Sequence, residues 1–138
     1  DKGKSKKREA KIGKAKKEHE KETEAIRKAD APLQSRITAL HSQATSSNTQ
    51  LINIELQIVA VQTQYNATRE QSYRNLLAIE LNRLGLLEGA TQADLLNVSR
   101  QINGVQQQRS ELAVRQQRAD GELAAKVGRV VDELKGIA

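Results

Sequence analysis

Apolar residues recur along most of this chain at alternating spacings of four and three. Leu33, Ile37, Leu40, Ala44, Ser47, Leu51, Ile54, Ile58, Val61, Tyr65 and Thr68 form one run. Leu95, Val98, Ile102, Val105, Arg109, Leu112, Gln116, Ala119 and Leu123 form a second. That alternation keeps one narrow stripe on one side of an α-helix. A stripe so narrow is buried only against another helix, from the same chain or from a partner. The predicted fold class is therefore all-α, with long helices forming an antiparallel helical hairpin or a coiled-coil assembly.

Punctuation between the runs sets the expected boundaries. Asp30-Ala31-Pro32 reads as a helix start, because proline in a first turn gives up an N–H that has no partner there. The first long helix is placed at 31–84. Leu84-Gly85-Leu86-Leu87-Glu88-Gly89-Ala90-Thr91 reads as a break, with Gly85 or Gly89 closing one helix and Thr91 capping the next. The connection is placed at 85–91 and the second long helix at 92–138. Residues 1–30 are read as a separate, basic, highly charged arm, either a solvated helix or a disordered segment, with Ile12 and Ile26 as its only large apolar residues.

Two details qualify the first helix. Thr45-Ser46-Ser47-Asn48-Thr49 is rich in side chains that compete for backbone groups. The stretch from Ile52 to Ile58 alternates as a strand would. The 3–4 spacing continues on both sides of it, so helix is the expectation. Apolar residues on several faces between Leu51 and Val61 point to more than one neighbouring helix.

Composition supports an extended helical architecture over a globule. Phe, Trp, Met and Cys are absent, and Tyr65 and Tyr73 are the only aromatics. Aromatic side chains supply much of the buried area of globular cores, whereas a coiled-coil seam needs only Leu, Ile, Val and Ala. Without Cys there are no disulfides or thiolate metal sites. No apolar run approaches the ~20 residues that span a bilayer. The chain starts at Asp1 without Met, and a processed or excised segment is expected.

The formal net charge of +6 sits mainly in the arm. Lys2, Lys4, Lys6, Lys7, Arg8, Lys11, Lys14, Lys16 and Lys17 face only Asp1 and Glu9 over residues 1–17. These nine are the candidate polyanion-binding residues, for nucleic acid or an anionic membrane surface. They would neutralise phosphates without reading bases, since no aromatic side chain interleaves to stack. A solvated, solubilising tail is the plainer reading of the same residues.

Other candidates are thinner. Glu18, His19 and Glu22 share helical spacing, but a solvated run does not fix a metal, and none is expected. Arg109 and Gln116 fall in the seam, where polar residues set register. No nucleophile–base pair and no phosphate-cradling glycine loop is present, so no enzyme, cofactor or small-molecule substrate is expected. The helix-packing seam itself is the main site prediction: Leu33, Ile37, Leu40, Leu51, Ile54, Ile58, Val61 and Tyr65, with Leu95, Val98, Ile102, Val105, Leu112 and Leu123.

The stretch from Leu84 to Leu96, with glutamine-containing segments Gln50–Gln71 and Gln101–Gln117 on either side, resembles the internal virion (ejection) proteins of short-tailed phages. In those proteins a Gln/Ala-rich helix meets a short glycine-containing turn followed by Ser/Thr and an acidic-apolar helix start. The resemblance covers residues 50–120 and excludes the lysine-rich arm. It implies a virion component stored with the genome and released on infection, and it carries over no functional residue.

The first expectation is a non-enzymatic structural or assembly protein, a homo-oligomer or a part of a larger helical complex. Polyanion binding through residues 1–17 is the second. The third is the coiled-coil part of a membrane-anchored protein whose anchor lies outside the sequence.

Overall fold

The computed structural model of the chain describes residues 2–136. Asp1 of the arm, and Ile137 and Ala138 at the end of the predicted second helix, lie outside the described residues. Two helices, α1 (Lys2–Ala67) and α2 (Gln71–Lys135), pack antiparallel as a hairpin. Only Thr68-Arg69-Glu70 separates them, and among the described residues there is no strand. The all-α helical hairpin expected from the two seams is the observed fold.

The boundaries differ from the predicted ones in three places. The connection is at 68–70, not 85–91, so the first helix ends at Ala67 instead of residue 84. The second helix begins at Gln71 instead of residue 92. Gly85 and Gly89 lie inside α2, with no positive φ among the described glycines. The reason lies in the spacing. Arg74, Leu77, Leu81, Leu84, Glu88, Thr91 and Leu95 continue the second run backwards, and each is turned inward. Burial of Leu77 and Leu84 outweighs the ~1 kcal/mol that each interior glycine costs. Thr91 does not cap. It is buried mid-helix, and its Oγ1 donates to the Leu87 carbonyl at 2.9 Å.

The turn needs no glycine. Thr68 N donates to the Gln64 carbonyl at 3.0 Å, which extends the end of α1 by one bond. Arg74 N donates to the Glu70 carbonyl at 2.9 Å, which opens α2. Neither step uses the left-handed region.

The third correction concerns residues 1–30. Residues 2–30 are the first part of α1, not a separate arm. Arg8, Ile12, Ala15, His19, Glu22, Ile26 and Ala29 extend the four–three spacing upstream of Leu33 and point inward. Pro32 therefore falls inside a helix of 66 residues rather than at its start. Proline there removes the bond to the carbonyl four residues back, a cost of ~3 kcal/mol. Pro32 and Lys28 are both exposed, so the break in the bonding falls on the solvent side of the helix. The Ser/Thr run also stays helical. Thr45 Oγ1 donates to the His41 carbonyl and Thr49 Oγ1 to the Thr45 carbonyl, each at 3.0 Å.

The chain divides into two compact units. A turn unit comprises Arg36–Gly104. A terminal unit joins the chain up to Ser35 with the chain from Val105 onward. The turn unit has the larger core side chains: Leu40, Ile54, Leu77, Leu84 and Val98. Leu84 and Val98 are 0% and 1% exposed. The terminal unit buries Ala15, Ile26, Val105, Ala119 and Val130, with two alanines where the turn unit has none.

Candidate functional site

Three features of the hairpin bear on function: the inward seam, a ladder of polar contacts in the terminal unit, and apolar residues left on the outer faces of the turn unit.

Every predicted seam residue points inward. Leu40, Ile54, Val98 and Val105 are buried. Leu33, Ile37, Leu51, Ile58, Val61, Tyr65, Leu95, Ile102, Leu112 and Leu123 are half-buried. The half-burial follows from having two helices only, since each seam side chain keeps one edge towards solvent. Near the turn, the Arg74 guanidinium lies 4.5 Å from the Tyr65 ring centroid, a cation–π contact between the helices.

The ladder belongs to the terminal unit. Arg109 Nε and Nη2 donate to the two Asp30 carboxylate oxygens at 2.8 and 3.2 Å. Gln116 Nε2 donates to Thr23 Oγ1 at 3.1 Å and to Asp120 at 2.9 Å. His19 meets Asp120 at 2.6 Å. Lys126 donates to Glu18 at 2.9 Å, Arg115 to Glu22, and Lys11 lies 3.8 Å from Glu133. Arg109 and Gln116, the polar seam positions, thus find partners on α1. Exposed pairs add little stability. A forked Arg–carboxylate pair is geometrically selective, so their contribution is register. The turn unit shows no ion pair between its helices among the described residues. Its one pair, Arg83 with Glu80, lies within α2.

These partners shift the carboxylates in one direction. Hydrogen bonds from Arg109, from His19 and Gln116, and from Lys126 hold Asp30, Asp120 and Glu18 below their ordinary values. A carboxylate lowered in the folded state contributes stability above its unfolded pKa and loses it as pH falls through the folded one. The melting temperature should therefore be flat from neutral pH down to about pH 5 and fall below about pH 4. Asp30→Asn should flatten part of that fall, and circular dichroism melts across pH would read it.

The same contacts occupy the residues weighed for a metal. Glu18, His19 and Glu22 each meet a partner on α2. Among the described residues, no group of three or more His, Asp or Glu gathers as a metal would require. No described helix is long and apolar enough to cross a membrane.

The polyanion candidates lie along the first turns of α1. Lys2, Lys4, Lys6, Lys7, Lys11, Lys14, Lys16 and Lys17 are exposed, and Arg8 is half-buried. Residues 36–104 carry five Arg and five Asp/Glu, so the +6 belongs wholly to the rest of the chain.

The outer faces depart from the usual pattern of a solvated helix. On α1 of the turn unit, Ile52, Leu56 and Val59 are 56–63% exposed. On α2, Leu76, Ile79 and Leu86 are 64–72% exposed. The sequence signal for the first set is the apolar crowding from Leu51 to Val61. The second set is hidden for as long as Leu86 is read as part of a connection. With α2 starting at Gln71, Leu76, Ile79, Arg83, Leu86, Ala90 and Ala93 become one stripe at helical spacing.

The chain matches no family model, no curated protein and no solved structure.

Proposed function

We propose that this chain is a non-enzymatic assembly protein whose hairpin packs against further helices in a larger complex. One observation carries the reading: an electroneutral turn unit that leaves two stripes of large aliphatic side chains on its outer faces. Scattered exposed leucines are ordinary on soluble proteins, but aligned stripes mark contact surfaces. Neutrality removes the repulsion that would keep such surfaces apart. The resemblance of residues 50–120 to ejection proteins makes a phage virion the proposed setting.

Sedimentation should report a mass above the 15.3 kDa of one chain, rising with concentration. Ile79→Glu should return the mass to one chain while helicity stays unchanged, because Ile79 is exposed and outside the seam. A single-chain mass at every concentration up to the millimolar range would remove this reading.

A second reading rests on the lysines at the start of α1. Eight lysines are exposed along residues 2–17. A polyanion would relieve the repulsion among them. The two readings are compatible, since they use different units.

A further inference from the structure

The two outer stripes differ in where they face, and the difference selects the partner. Within the turn unit, the half-buried seam positions include Ile37, Leu51 and Ile58 on α1 and Leu81, Leu95 and Ile102 on α2. Measured from those positions at about 100° per residue, Ile52, Leu56 and Val59 lie on the side of α1 turned away from α2. Leu76, Ile79 and Leu86 lie on the side of α2 turned away from α1. The first stripe leans towards one flank of the hairpin and the second towards the other. One hairpin therefore cannot cover both of its own stripes.

The stripes match in height at two of their three large residues, while Leu56, 13 residues from Arg69, and Leu76, 7 residues from it, have no level partner. Ile52 and Leu86 are each 17 residues from Arg69 at the middle of the turn, and Val59 and Ile79 are each 10. Their small neighbours match as well: Thr45 stands level with Ala93, and Thr49 nearly level with Ala90. Tyr65 and Arg74, which do touch across the hairpin, lie four and five residues from Arg69. The matching between stripes therefore repeats the pairing already made inside the chain.

We infer that a second copy of this chain covers each stripe, with Ile52, Leu56 and Val59 of one copy packed on Leu76, Ile79 and Leu86 of the next. Copies stand side by side with their turns at the same end. Each α1 then has an antiparallel α2 on both sides, one from its own chain and one from its neighbour. Such a contact is heterologous, so it repeats until a ring closes or continues as an open row. The large side chains of the contact span roughly 10 Å of α1 and 15 Å of α2, so each junction is small beside a standard specific interface. One junction is weak, and two junctions per copy make the assembly dependent on concentration. The inference rests on the assembly reading and names its partner.

Cysteine chemistry tests it cleanly, because the chain has no Cys. Ile52→Cys and Leu86→Cys are made as two separate chains and as one doubly substituted chain. Both positions are more than half exposed, so the fold is retained, and circular dichroism verifies it. A disulfide needs Cβ atoms about 4 Å apart, which excludes linkage within one hairpin between sites on opposite outer faces. Under mild oxidation the two single variants should link when mixed and not when alone. The doubly substituted chain should give a ladder of dimers, trimers and larger species. Linkage of either single variant with itself would show a two-fold contact and overturn the inference. An oligomer by sedimentation that gives no mixed linkage would also overturn it, while leaving the assembly reading standing. A single-chain mass would overturn both.

Discussion

Leu84→Asp is expected to unfold the turn unit. Leu84 is fully buried between α1 and α2, and a carboxylate there meets no partner charge. Breaking an apolar contact and burying an unpaired charge together should cost ~4 kcal/mol or more, the extreme of single substitutions. Leu84→Ala should cost ~2–5 kcal/mol through the cavity alone. The comparison that gives the result meaning is Leu86→Asp, two residues along the same helix. Leu86 is 72% exposed, so its substitution should leave the melt of the isolated chain unchanged. Circular dichroism melts in dilute solution, with hydrogen exchange over Arg36–Gly104, distinguish the two. Equal melts for Leu84→Asp and the unsubstituted chain would mean that the seam through Leu84 is not the core.

That contrast also shows how far the sequence could be read. The seams of Leu33–Thr68 and Leu95–Leu123 are visible because large aliphatic residues fill most of their positions. The seam between Arg74 and Leu95 holds Arg74, Glu88 and Thr91 with three leucines, and two glycines sit beside it. Local turn chemistry there competes with the long-range spacing, and the spacing determines the fold. The true turn carries no glycine, proline or Asn-Gly pair. Its mark is a phase slip: after Tyr65 and Thr68 the first run would continue at Ser72 and Asn75, whereas α2 buries Leu77. Upstream of Leu33, the seam is hidden because His19 and Glu22 occupy inward positions between Ile12 and Ile26. Their partners on α2 lie more than ninety residues away in sequence. Pairings of that kind are set by the hairpin register, which no local pattern displays. Arg109 and Gln116 can be named as register residues from the seam alone, but Asp30 and Thr23 as their partners require the position of the turn.

Binding of the chain to arbitrary duplex DNA should fall ~10³–10⁵-fold between about 50 and 200 mM salt, if roughly six to nine lysines and arginines near the start of α1 each neutralise a phosphate. The result should not depend on base sequence, because lysine acts as a point charge and no aromatic residue is present to stack. Truncation before Pro32 is not a clean comparison, because residues 2–31 are half of the terminal unit. Removing Ala15 and Ile26 would uncover Val105, Ala119 and Val130 and unfold what remains. Substituting Lys2, Lys4, Lys6 and Lys7 with Gln retains good helix formers and touches no buried position. If each lysine contributes one phosphate contact, the slope of log affinity against log salt should flatten by about 3.6 for the four removed. Helicity and sedimentation mass should be unchanged, since the outer stripes lie in the other unit. Anionic vesicles in a parallel titration separate nucleic acid from a lipid surface. No binding at about 50 mM salt, or a slope that survives the four substitutions, would reduce the lysines to a solubilising helix end and leave assembly as the function of the hairpin.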